Sequence, residues 1–321
     1  MGEAKGGSVS EKVYACIDLK SFYASVECAE RNLDPFTTNL VVADPDRTEK
    51  TICLAITPAM KDLGVKNRCR VFEIPPGINY VKAKPRMRLY MQKSAEIYRV
   101  YLRYVSAEDI HVYSIDECFI DLTPYVTLYG KTPKELAVML MDAVFQETGI
   151  CATAGIGTNL FLAKVALDIT AKHAEDHIGF LNEDLFKEQI WDYTPITDIW
   201  NVGPGIARRL AKYAVYTLRG VTEMNEETLY HEFGAPAEYL IDHAWGQEPC
   251  TIADIHAYTP EASSMTNGQV LSCDYSYDEA RMVLQEMVDA SALEVLERGV
   301  VVGSISLGIG YAREDAAQVC F

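Results

Sequence analysis

No apolar run in the 321 residues approaches the 18 needed for a transmembrane helix. The opening M-G-E-A-K-G-G-S-V-S-E-K lacks the apolar core of a secretory signal, so residues 1–11 read as a disordered polar tail. Paired cysteines are lacking too. None of the nine (16, 28, 53, 69, 118, 151, 250, 273 and 320) is spaced as C-x-x-C, which excludes the usual zinc patterns. Their odd number, with several in apolar strands, reads as buried thiols in a reducing cytoplasm. Positive charge is scarce, at 29 Lys and Arg against 46 Asp and Glu, for a net −17. Taken alone, that balance argues against nucleic-acid binding, whose footprint is a basic surface. What remains is 49% apolar and 23% charged, the composition of a globular chain long enough for two to four domains.

The patterning predicts strands over 13–18, 40–44 and 51–56, then 112–123 and 150–157. Helices are predicted over 21–31 (with Ser21 as N-cap), 58–64, 84–105, 133–148 and 159–172. This order implies an α+β sheet with helices on one face. Short helices alone are expected from about 175 to 250. A looser segment from 259 leads to a strand (269–274), a helix (277–298) and a strand (301–308). Two stretches are locally basic, 82–103 and R-R-L-A-K at 208–212, and each reads by itself as a solvated helix face.

Three constellations carry possible chemistry. In V-Y-S-I-D-E-C-F-I-D-L-T (112–123), Asp116 and Glu117 interrupt an apolar run, and a third acid, Asp18, ends the first strand. Converging carboxylates suit hard divalent cations such as Mg²⁺, and two such ions suit phosphoryl transfer. Strand neighbours point to opposite faces, so the pair can share a site only if the chain turns near Ser114–Asp116, although no Gly, Pro or Asn marks a turn there. Asp121 is read as structural. In I-W-N-V-G-P-G-I-A-R-R-L (199–210), the G-x-G before a helix fits a helix-hairpin-helix or a plain turn between helices. Lys61 and Lys164, each on a helix after a strand, could meet a triphosphate, although a lone lysine is usually a solvated surface residue.

Taken together, I-D-L-K-S-F-Y-A-S-V-E (17–27), Y-S-I-D-E-C-F-I-D-L-T (113–123), G-I-G-T-N-L-F-L-A-K-V-A (155–166) and the V-G-P-G turn resemble the Y-family translesion DNA polymerases of the DinB and UmuC type. D-L-K-S-F-Y, C-L-A-I-T-P-A-M-K and N-R-C-R-V-F-E-I-P look most like the UmuC-like UV-damage repair branch of Gram-positive bacteria and their mobile elements. The resemblance implies an α+β right hand. It would have a ferredoxin-like palm (12–21 and 81–175), small fingers (22–80), a helical thumb with a helix-hairpin-helix (176–250) and a partial α+β little finger (259–321). It implies a DNA-directed DNA polymerase acting on primer-template DNA and dNTPs in DNA repair and the SOS response. Asp18, Asp116, Glu117 and the Leu19 carbonyl would hold two Mg²⁺ ions. Tyr23 would be the steric gate against a ribose 2′-OH, with Phe22 beside it, and Lys61 and Lys164 would bind the triphosphate. Gly203, Gly205, Arg208 and Arg209 would meet DNA phosphates. A sliding clamp is the family's usual partner, but no clamp-binding peptide is present in this chain; no membrane is implied.

The sequence departs from the family pattern at several places. Lys20 stands where many members carry a second acid, Ala55 and Pro58 where DinB-type members use Thr and Tyr, and Leu160 where a lysine is frequent. The little finger is expected to be truncated, leaving about half of a sheet core. An alternative expectation follows, a catalytically weak or inactive DNA-binding remnant. A nucleotide cyclase, whose sheet also holds two metals, is disfavoured by the helix-hairpin-helix.

Overall fold

The computed structural model describes residues 12–260, 263–271 and 273–311. The expected tail at 1–11, the last ten residues and Cys320 lie outside them. By contact the chain forms two units, Met1–Tyr258 and Thr259–Phe321. The first begins β1 (Tyr14–Leu19), α1 (Phe22–Ala29), β2 (Leu40–Val42), β3 (Ala55–Ile56), α2 (Pro58–Asp62), β4 (Val81–Ala83) and α3 (Met87–Tyr101). It continues with β5 (Ile110–Val112), β6 (Glu117–Asp121), α4 (Thr123–Tyr129), α5 (Pro133–Thr148), β7 (Ala152–Gly157), α6 (Leu160–Asp168) and β8 (Ile178–Leu181).

The main sheet has the order β5-β6-β1-β7-β8. β1 lies in its middle, antiparallel to both β6 and β7. The connections β1–α3–β5 and β6–α5–β7 place α3 and α5 against Ala15, Ile17 and Leu19 of β1, the ferredoxin-like arrangement. α5 is well delimited by sequence. Thr132 and Glu135 form a capping box, Pro133 opens the helix, and Gly149 closes it at φ 67.

Helices cover both faces of this sheet, not one as expected. Alternation turns Tyr14, Cys16 and Phe119 to the other side, where Leu160, Ala163 and Leu167 of α6 cover them. Gly155 and Gly157 make this possible. A Cβ on Gly155 would lie 2.1 Å from both the Ala163 carbonyl oxygen and the Leu167 nitrogen. Two glycines in a strand read as weakness in a sequence; here they let a helix backbone lie directly on the sheet. β8 is a second correction, because only helices were expected after 175. It pairs parallel to β7 as a fifth strand.

A small sheet, β3-β2-β4, covers its own apolar cluster of Val41, Ile56, Met60, Val71 and neighbours. β4 pairs with β2, so this sheet runs through residue 83. Helices α7 (Glu183–Gln189), α8 (Pro204–Leu210), α9 (Leu218–Thr222), α10 (Glu226–Phe233) and α11 (Ala237–Ala244) form a third body. They pack on Phe161, Leu162, Val165 and Ala166 of α6. α12 (Ile252–Ala257) returns to the main sheet through Ile252.

In the second unit, α13 (Tyr277–Glu297) starts at a Ser276–Glu279 capping box. The strands expected at 269–274 and 301–308 are not formed among the described residues. An extended segment becomes a strand only when a neighbour takes up its N–H and C=O groups, and no such pairing occurs there.

Candidate active site

The chain does turn before Glu117. Tyr113–Asp116 link β5 to β6, and the N–H groups of Tyr113 and Ser114 both donate to the Glu117 carbonyl at 3.0 Å. Ser114 Oγ donates to Asp116 Oδ1 at 2.8 Å, so a serine hydroxyl closes the turn where glycine or asparagine was missing. Asp18 and Glu117 are direct cross-strand partners. The Leu19 N–H donates to the Asp116 carbonyl at 2.8 Å. The three acids, separated by about a hundred residues in sequence, thus meet at one end of β1 and β6.

Their charges are poorly compensated. Burial, then the nearby Asp116 and Glu117 carboxylates, push the Asp18 carboxyl up to about 7, with partial relief from Lys164. Lys164 Nζ lies 2.7 Å from Glu117 Oε1 and 2.9 Å from Asp168 Oδ1, one turn along α6. The Cys16 thiol donates to Glu117 Oε1 at 3.0 Å, and burial raises that thiol well above its ordinary value. Lys164, expected to meet a triphosphate, is here the counter-ion of the acid cluster. Among the described residues, no three His, Cys, Asp or Glu side chains are gathered as a ready cation cage. The donor set nevertheless suits a hard cation, with oxygen ligands and more carboxylate than ammonium.

Ser21 precedes α1 in the left-handed region (φ 51), and its hydroxyl makes no cap bond, so it is an N-cap by position only. Its Oγ is buried without a partner. Phe22 is buried. Tyr23 is half-buried, and burial followed by the Asp116 charge raises its phenol, which places the ring near the acids. Lys61 on α2 is exposed by surface area, yet the protein around its ammonium lowers its pKa, against the pull of Asp18.

Gly203 caps α8 and Gly205 lies in its first turn, with open space where either would carry a Cβ. The element before this loop is a single 3₁₀ turn, Ile196–Asp198. Arg208 bonds back to the Pro204 carbonyl at 3.3 Å. Arg209 donates to the Glu232 carbonyl at 2.6 Å and lies over the Phe233 ring, tying α8 to α10. The basic stretch at 82–103 is largely answered by acids: Lys82 by Glu49, Lys84 by Asp46, Arg86 by Glu27, Lys93 by Glu96 and Arg103 by Glu147. Asp121 accepts from Lys12 Nζ and from the Thr123 N–H, both at 2.9 Å, a structural lock at the far end of β6.

Sequence reasoning missed Glu27 and Tyr90, buried behind Tyr23, and the partly exposed Arg86 that pairs with Glu27. Their signal was faint: a glutamate four residues after Tyr23 on one helix, and an R-x-x-x-Y spacing that spans the start of another. Trp200 was missed as well; its indole N–H donates to the Tyr113 hydroxyl at 3.1 Å, joining the loop before α8 to the acidic hairpin.

Residues 17–168 match the impB/mucB/samB family. The chain is 32% identical over 304 residues to the UV-damage repair protein UvrX of Bacillus subtilis strain 168, spanning 94% of this chain and 71% of the relative. It is 30% identical to DNA polymerase IV 2 of the same organism, spanning 93% of this chain and 72% of that one. The DinB crystal structure from Sulfolobus solfataricus superposes with a TM-score of 0.60 at 24% identity, covering 74% of this chain and 68% of that one. The chain therefore belongs to the impB/mucB/samB family of Y-family, DNA-directed DNA polymerases.

Proposed function

We propose that this chain performs template-directed, Mg²⁺-dependent DNA synthesis past damaged bases. The primer 3′-OH attacks the α-phosphate of a dNTP, a P–O bond forms, and pyrophosphate leaves. The observation that carries this reading is the meeting of Asp18, Asp116 and Glu117 at one sheet end, with too few cations to balance them. Asp18, Asp116, Glu117 and the Leu19 carbonyl would hold two Mg²⁺ ions. Bound there, such ions lower the pKa of the attacking hydroxyl and neutralise charge on the leaving phosphates.

The chain's own residues do the rest. Tyr23, with Phe22 packed beside it, bounds the sugar and excludes a 2′-OH. Lys61 and Lys164 receive the triphosphate, and Lys164 exchanges Glu117 and Asp168 for phosphate oxygens. The Gly203–Gly205 loop and Arg208 take backbone phosphates of primer-template DNA without reading bases. Arg209, already bonded to Glu232 and Phe233, acts by holding α8 in place. We assign residues 12–21 and 81–175 to the palm, 22–80 to the fingers, 176–250 to the thumb and 259–321 to a little finger, with the small sheet's last strand crossing the palm boundary.

Primer extension with Mg²⁺ and dNTPs tests the assignment. The wild type should extend a primed template and Asp116→Ala should not; extension by the variant would refute the catalytic role. A second reading, a DNA-binding protein that inserts nucleotides poorly, is favoured by the lack of strands among the described residues of 259–321. Single-nucleotide insertion alongside DNA binding separates the two.

A further inference from the structure

Tyr23 and Glu27 lie one turn apart on α1. Beneath them stands Tyr90, from the first turn of α3 and fully buried. The rings of Tyr23 and Tyr90 are stacked, with centroids 4.5 Å apart and planes 14° from parallel. The Tyr90 hydroxyl donates to Glu27 Oε1 at 2.7 Å. Glu27 is itself fully buried. Arg86 grips both its oxygens, at 2.9 and 2.7 Å, and Arg31 adds an ion pair to Oε2. A buried carboxylate held by two guanidiniums has little freedom to move. The phenol bonded to it is fixed in turn, and so is the ring stacked on that phenol.

We infer that Tyr90, clamped by Glu27, is a positioning residue that holds the Tyr23 ring upright and thereby sets discrimination between deoxyribose and ribose. This rests on the proposed role of Tyr23 as the sugar-facing gate. One face of Tyr23 is braced by Tyr90, so the ring cannot retreat into the palm when a 2′-OH presses on it. Rejecting a single hydroxyl by sterics needs a wall that does not yield. A gate with a void behind it would tilt and admit the ribonucleotide.

The test is single-nucleotide insertion of a dNTP and its matching rNTP by the full chain, comparing kcat/KM for each. Tyr90→Leu removes the brace, Tyr90→Met fills the space with a flexible side chain, and Tyr90→Phe keeps the ring. Circular dichroism and thermal melts identify the folded variants. The dNTP-over-rNTP ratio should fall at least about tenfold in Tyr90→Leu or Tyr90→Met, mainly through a lower KM for the rNTP. It should fall less, but measurably, in Tyr90→Phe, which keeps the stacked ring and loses its bond to Glu27. A purely structural role would lower both activities together and leave the ratio unchanged, and that result in either folded variant overturns the inference. If Tyr90→Leu and Tyr90→Met both fail to fold, an unchanged ratio in Tyr90→Phe overturns the inference, because a ring released from Glu27 would then hold the gate as well as a clamped one. Tyr23→Ala separates the two levels. If it leaves the ratio unchanged, the gate reading fails; if it relaxes the ratio and the Tyr90 variants do not, only the present inference fails.

Discussion

Replacing Gly155 with alanine should unseat the helix that carries Lys164. The added Cβ would lie 2.1 Å from the Ala163 carbonyl oxygen and the Leu167 nitrogen, and 2.7 Å from Leu167 Cα. Ordinary contact begins near 3.4 Å, so the helix must retreat by about 1.3 Å. The opposing atoms are all backbone, and no flexible side chain can swing away. α6 is also held from its far side, where Phe161, Leu162, Val165 and Ala166 are buried among α7 to α11. Overpacking usually costs about 1–3 kcal/mol, and a rigid backbone on both sides puts this site at about 3 kcal/mol or more. For a folded unit of this size that lowers Tm by roughly 6–12 °C. Retreat of α6 also draws Lys164 away from Glu117, now 2.7 Å apart, so primer extension should fall even where the variant is folded. Urea unfolding measures the first effect, with an unchanged m-value showing that stability alone moved. Gly203→Ala is the control. Its φ of −79 is ordinary and nothing lies within 4 Å of a Cβ there, so it should stay within about 0.5 kcal/mol of wild type. A Gly155→Ala protein less than about 1 kcal/mol below wild type would refute the close-packing argument.

Glu27→Gln should destabilise by about 2–4 kcal/mol, because Arg86 and Tyr90 lose a fully buried partner while the half-exposed guanidiniums recover some hydration; urea unfolding at pH 7 reads this. Burial pushes the Glu27 carboxyl up, and the bonds from Arg86, Tyr90 and Arg31 outweigh it, leaving it below its ordinary 4.5. Its stabilisation is therefore complete above pH 4.5 and lost as pH falls through the folded value. A stability–pH curve for Glu27→Gln should be flatter than wild type below pH 4.5, and equal slopes would refute the clamp. Asn159→Ala removes both a cap bond to the Leu162 N–H at 2.8 Å and a bond to the Gly246 carbonyl at 2.9 Å. It should cost about 2 kcal/mol in chemical denaturation. Millimolar Mg²⁺ should raise the Tm of the wild type by relieving the repulsion around Asp18, and Asp116→Ala should lose most of that gain; an equal rise in both, by differential scanning fluorimetry, would mean the cation binds elsewhere.

Much of the architecture was legible. The capping box and flanking proline and glycine of 133–148 delimit a helix unaided, and that helix is found without a shift. The acids at 18, 116 and 117 were legible as a group because charge inside an apolar run demands a partner. Less legible were elements whose existence depends on neighbours. β8 is four residues long and forms because β7 offers it an edge. The segments at 269–274 and 301–308 have strand composition but find no pairing partner among the described residues. Lys164 reads in sequence as a phosphate ligand or a surface charge, and only packing brings it onto Glu117.

The sequence by itself determined the local decisions: where helices cap, which strand faces are apolar, and that three carboxylates needed compensation. Those follow from backbone sterics and from the cost of burying charge, which are properties of short stretches. Tertiary structure alone decided that Gly155 and Gly157 seat a helix, that a serine hydroxyl closes the acidic turn, and that Tyr90 and Glu27 stand behind Tyr23. The helix seat and the Tyr90 brace depend on distances between separate elements, and the Ser114–Asp116 bond, two residues apart, on the turn that joins β5 to β6. Such distances arise only when the sheet and its helices pack together.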